Sequence, residues 1–112
     1  APKTRFHLLE NAGDFVKIDD PDAGNTGWIL FQEGSLTKVK EASLSSGVSF
    51  EKPEWVRFLS VDGSLESAAQ NLYAVLRELD AMGLEAIYAE KAPSEGLGLA
   101  INDRLLRAAG KG

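Results

Sequence analysis

The chain contains no cysteine among its 112 residues. Disulfide staples, thiolate metal sites and a cysteine nucleophile are therefore excluded, and compartment is left open beyond compatibility with the cytosol. One histidine is present, too few for a histidine-based metal centre or a histidine pair. Basic side chains are the minority, 12 against 17 acidic ones, for a net charge of −5. Such a domain repels a phosphate backbone on average, so direct nucleic-acid binding is not expected. No apolar run approaches the ~20 residues that cross a bilayer. The longest, Trp28-Ile29-Leu30-Phe31, has the length of a strand. The N-terminal residues Ala1-Pro2-Lys3-Thr4-Arg5 hold no apolar stretch of the signal-peptide kind, so neither a membrane partner nor export is expected.

What remains is an ordinary globular composition, 44% hydrophobic, at a length that suits one domain with a core of its own. Phe6 to Glu10 reads as an opening strand and Asn11-Ala12-Gly13 as a turn. The alternation Phe15-Val16-Lys17-Ile18 predicts a second short strand. Asp19 to Gly27 is crowded with turn formers and reads as a loop. The unbroken apolar run from Trp28 to Gln32 predicts a strand covered on both faces, as in a parallel sheet. Between Gly34 and Glu54, the alternating segments Thr37–Glu41 and Val48–Glu51 predict a peripheral hairpin.

Val56 to Val61 reads as a strand. Ser64 then stands where a helix N-cap is wanted, and Glu66 favours the first-turn dipole. Leu65, Ala68, Ala69, Leu72, Tyr73, Leu76 and Leu79 fall at three- and four-residue spacings and form one apolar stripe. Gly83 suits the left-handed residue that ends such a helix. Leu84 to Glu90 is a further strand, which makes a βαβ unit with parallel strands. After a loop from Lys91 to Gly98, a last helix is predicted from about Leu97 to Ala109, with Ile101, Leu105 and Leu106 inward and Arg104 and Arg107 outward. The fold class is α/β: a three-layer, Rossmann-like domain with a mostly parallel sheet of four to five strands.

Few residues carry chemistry. His7 lacks an evident serine or carboxylate partner and reads as a solvent-facing or edge residue. Asp20-Pro21-Asp22 matches the first two ligand spacings of a calcium loop, but Gly24 and Asn25 break the rest of the pattern. Ser94-Glu95-Gly96-Leu97-Gly98 lies between a strand and a helix, where backbone amides gather anions. Neither phosphate fingerprint is complete, however, and Gly96 and Gly98 equally allow a tight turn. Asn102, Asp103 and Arg104 on the last helix are a candidate polar site or docking face, and Asp103 and Arg107 are spaced for a surface ion pair. The candidate ligand or docking residues are therefore Gly96, Gly98, Asn102, Asp103 and Arg104. No catalytic group and no metal ligand is assigned.

The strings AAQNLYAVLRELDAMG (68–83) and AIYAEKAPSEGLGLAINDRLLRAAG (86–110) resemble the C-terminal domain of L-threonylcarbamoyladenylate synthases of the two-domain, Sua-five type within the YrdC family. Ala1-Pro2-Lys3 is similar to the end of the linker that joins the two domains there. The resemblance implies an accessory, Rossmann-like domain with no cofactor of its own. Its partner would be an N-terminal YrdC-like catalytic domain, which makes threonylcarbamoyl-AMP from threonine, bicarbonate and ATP with magnesium. It further implies a cytoplasmic role in tRNA threonylcarbamoyladenosine modification, and a chain cut from a longer protein. The family pattern places a helix between the first strand and Trp28 and a short connection before Val56, where the residues themselves read as loop and hairpin. Two rival functions stand beside this one. A nucleotide- or anion-binding domain would use the glycine loop, and a pure interaction module would show a contiguous exposed apolar patch.

Overall fold

The structure is a computed structural model that describes residues 4–18, 20, 24–50 and 53–111. Four strands form one sheet: β1 (Arg5–Leu9), β2 (Thr26–Leu30), β3 (Trp55–Phe58) and β4 (Ala86–Glu90). Their order is β1-β4-β2-β3 and every pairing is parallel. Three helices complete the fold: α1 (Gly34–Ser46), α2 (Leu65–Met82) and α3 (Leu97–Lys111). A 3-10 helix, Ala12–Lys17, follows β1.

The three layers follow from side-chain alternation along the central strands. Ile29 and Phe31 on one side of β2 join Leu72, Val75 and Leu79 of α2 and Ile101 and Leu105 of α3. Trp28 and Leu30 on the other side join Phe15 of the 3-10 helix and Val39 of α1. The second face is aromatic. Trp28 stacks on its register partner Tyr88 at 4.9 Å between centroids, and His7 lies 5.1 Å beyond Tyr88 on β1.

Helix α2 begins and ends as its sequence demands. Ser64 accepts from the Ser67 N–H at 3.2 Å, and Gly83 closes the helix at φ +64°. Its stripe needs one correction. Tyr73 is 58% exposed and Val75 is buried in its place, so the buried face runs through Ala68, Leu72, Val75 and Leu79. Likewise Ile101 and Leu105 are buried, but Leu106 is 52% exposed. One hundred degrees of rotation from Leu105 carries it off the core.

Two predicted elements are replaced. Phe15–Ile18 is not a strand. The Asn11 side chain accepts from the Gly13 N–H at 3.0 Å and opens the 3-10 helix, whose Phe15 packs edge-on against Trp28. The predicted hairpin in 34–54 is also absent, since Gly34–Ser46 is helix α1. A parallel β2–β3 pair needs a crossover, and α1 supplies it. Only Ser35 and Val39 of α1 are buried, so the helix leaves almost no apolar stripe to read. Gly47, at φ +77°, ends it. The connection before Val56 is thus a helix rather than a short link.

Candidate functional site

The carboxyl ends of β1, β4 and β2 open into a cleft of about 330 Å³. Its position follows from topology. Beyond β1 and β2 the chain turns to the face that carries the 3-10 helix and α1, whereas beyond β4, between them, it turns to the α3 face. Connections that part in this way leave a crevice at the carboxyl edge, the general binding place of open α/β sheets.

Glu90, the last residue of β4, forms the floor and is only 5% exposed. Its Oε1 accepts from the Phe31 N–H at 2.9 Å and from the Ser35 hydroxyl at 2.5 Å. A buried carboxylate thus ties the entry of α1 to the neighbouring strand, where the helix dipole favours negative charge. Glu90 Oε2 has no hydrogen-bond partner among the described residues. Lys91, Lys38, Gln32, Asn11 and Ser94 also line the cleft. Lys91 Nζ holds Glu10 Oε1 at 2.6 Å, while Lys38 has no ion pair among the described residues. Apart from Ser94, part of the glycine-loop stretch, none of these residues was singled out by sequence reasoning. The available signal was Glu90 itself, a carboxylate closing a strand whose other residues are apolar.

The residues that sequence reasoning did single out lie beside this cleft. Gly96 adopts φ +52°. A Cβ on Gly98 would stand 1.7 Å from the Pro93 carbonyl oxygen, so this glycine is required by a close backbone approach. Three amides of the turn are already bonded. Glu95 N–H donates to Pro93, Gly98 N–H to Glu95 and Leu99 N–H to Gly96, which leaves these three unavailable to an anion.

Asn102 is 7% exposed. Its side chain accepts from the Ala92 N–H and donates to the Ala92 carbonyl, each at 2.8 Å, so it extends the β4 pairing by one residue. Asp103 is exposed and pairs with Arg107 at 3.2 Å. Arg104, expected outward, is half-buried, with its guanidinium 5.1 Å above the Tyr73 ring. Its Nε is buried without a hydrogen bond. Leu97, Leu99 and Val61 are 45%, 59% and 90% exposed, and all follow the carboxyl ends of strands β4 and β3. The structure thus uses Gly98 for a close approach to Pro93 and Asn102 to tie α3 to Ala92. It leaves Arg104 with Tyr73, and Asp103 apart, on the outer face.

His7 sits at the sheet edge on β1, and its Nε2 lies 2.8 Å from Asp20 Oδ2. Arg5 Nε donates to the same oxygen at 2.8 Å. These bonds, Arg5 first and His7 second, hold the Asp20 carboxyl below its ordinary value. Burial raises the Tyr88 phenol above its own. Asp20 is thereby tied to β1, while Asp19, Pro21 and Asp22 of the supposed calcium loop lie outside the described residues. Among the described residues no group of three or more histidine or acidic side chains could hold a metal, and no helix is long and apolar enough to cross a membrane.

The family profile for the threonylcarbamoyl-AMP synthase C-terminal domain matches residues 1–110. The chain belongs to that family. A threonylcarbamoyl-AMP synthase of Pyrococcus abyssi is 37% identical over 82 residues, 70% of this chain and 23% of the relative. One from Bacillus subtilis is 36% identical over 77 residues, 69% of this chain and 20% of the relative. The chain therefore spans less than a quarter of the length of these relatives. The crystal structure of Pyrococcus abyssi Sua5 complexed with L-threonine superposes with a TM-score of 0.50 at 25% identity, over 79% of this chain and 28% of the other. A second structure of the same protein, carrying two alanine substitutions, gives a TM-score of 0.50 over 77% of this chain and 29% of the other.

Proposed function

We propose that this chain is the non-catalytic accessory domain of a threonylcarbamoyl-AMP synthase that acts in tRNA threonylcarbamoyladenosine modification in the cytoplasm. The observation that carries this reading is the match of the C-terminal-domain profile over residues 1–110. In the whole protein an N-terminal YrdC-like domain would hold ATP with magnesium and threonine. This chain would position that domain or its linker and hold no cofactor. The exposed Leu97, Leu99 and Val61, which follow the carboxyl ends of β4 and β3, support the start of α3 as the docking element, since apolar side chains presented from one end of a domain mark contact surfaces.

Titration of the ¹⁵N-labelled chain with the N-terminal catalytic domain of a family member tests this. Amide shifts concentrated at residues 61, 73 and 97–104 are expected. A spectrum unchanged by the catalytic domain at concentrations where the two domains would associate contradicts the docking role.

A further inference from the structure

We propose that the cleft bounded by Glu90, Ser35, Lys38 and Lys91 is a binding site for a small organic acid that carries an amine or hydroxyl donor beside its carboxylate. The inference concerns a different surface from the docking element and does not depend on the synthase reading.

Four observations converge on it. The cleft lies where parting connections open an α/β sheet, and its volume of about 330 Å³ is at the lower end of the ~300–1,000 Å³ that small-molecule sites occupy. Its floor is a charged side chain that is 5% exposed. Of that carboxylate's two oxygens, Oε1 takes both protein hydrogen bonds. Oε2 has no partner among the described residues, and Glu90 lines the cleft, so Oε2 can accept from a ligand. The flanking cations, Lys38 and Lys91, supply the opposite pole.

The charge count decides the ligand class. Two lysines face two glutamates, Glu10 and Glu90. A polyphosphate would meet as many carboxylates as ammonium groups, and a nucleotide is disfavoured on that ground. A lone carboxylate would satisfy a lysine but leave Glu90 Oε2 without a donor. A ligand with both a donor and a carboxylate matches both poles, with its donor inward to Glu90 and its carboxylate outward to Lys38 and Lys91.

Three nearly isosteric probes separate these requirements: L-alanine, L-lactate and propionate, which share a carboxylate and differ in the group that would face Glu90. Each is titrated into the ¹⁵N-labelled chain to about 50 mM, a range that reaches millimolar affinities. Amide shifts at residues 31–38 and 90–94 are expected with alanine, lactate or both, and about tenfold weaker binding with propionate, the value of one charge-assisted hydrogen bond. Whichever of alanine and lactate binds more tightly identifies the donor as amine or hydroxyl. Glu90→Gln keeps an acceptor for Phe31 and Ser35 but removes the charge, and is expected to erase the preference over propionate. Lys38→Met lies on the exposed side of α1, leaves the fold intact, and is expected to weaken all the acids that bind. No shift with any probe, equal binding of propionate, or indifference to Lys38→Met overturns the proposal.

Discussion

Asn102 holds both backbone groups of Ala92. Its side-chain oxygen accepts from the Ala92 N–H and its nitrogen donates to the Ala92 carbonyl, each at 2.8 Å, so α3 is fastened to the end of β4 by an imitation of strand pairing. Asn102→Ala removes both partners from a buried site. Each group left unsatisfied costs about 1–3 kcal/mol, and a urea titration should show a loss in that range or above. A loss below about 0.5 kcal/mol, the range of a plain surface change, would mean that the fastening is not structural.

Gly98 and Gly96 differ in kind, and alanine substitutions separate them. A Cβ on Gly98 meets the Pro93 carbonyl oxygen at 1.7 Å, which no rotamer change relieves. Gly98→Ala is expected to displace the 93–98 turn and to lower stability by several kcal/mol, more than about 3. Gly96 has open space around it and only a positive φ, +52°, so Gly96→Ala should cost about 1–2 kcal/mol. Thermal unfolding of the two variants checks the order, and equal losses would contradict it.

Much of the fold was legible because burial and local pattern agreed. The run Trp28 to Leu30 is buried throughout, as its unbroken hydrophobicity required, and α2 carries its caps at Ser64 and Gly83. Helix α1 was not legible. It buries only Ser35 and Val39, and the sequence Thr37-Lys38-Val39-Lys40 alternates like a strand while the topology demands a crossover there. The cleft was illegible for another reason. Phe31 and Ser35 meet Glu90 across 59 and 55 residues of sequence, and no local spacing records such a meeting. Gly96, Gly98 and Asn102 did stand out, but the structure commits Gly98 and Asn102 to backbone packing.

The register of α3 gives a paired test. Leu105 is fully buried and its neighbour Leu106 is 52% exposed. Leu105→Ala is expected to destabilise by about 2–5 kcal/mol through cavity formation, and Leu106→Ala by no more than about 0.5 kcal/mol. Chemical denaturation of both variants checks this. The reverse order would place the helix one residue out of register.

Stability should depend on acid in a defined sense. Asp20 is held below its ordinary value by Arg5 and then His7, Asp62 by the Ser64 N–H, and Glu78 by Arg57 and then Trp55. The ordinary values are 3.8 for the aspartates and 4.5 for the glutamate. A depressed folded value means that the unfolded chain takes up protons first. The stability these groups contribute is therefore complete above the ordinary values and is lost as pH falls through the lower, folded ones. Urea midpoints should hold level from neutrality to about pH 5 and decline below about pH 4. Asp20→Asn should be less stable at neutrality and decline less steeply. A variant curve parallel to the wild type across the acid range would show that the Arg5–Asp20–His7 cluster is not the source.

The central claim, that this chain is an accessory domain and not the seat of the chemistry, is tested most directly by assaying threonylcarbamoyl-AMP formation. The assay would supply threonine, bicarbonate and ATP with magnesium to the chain alone, to a family catalytic domain alone, and to the two together. No product is expected from the chain alone, and a change in the catalytic domain's rate or threonine dependence is expected when the chain is added. Robust product formation by these 112 residues alone would contradict it.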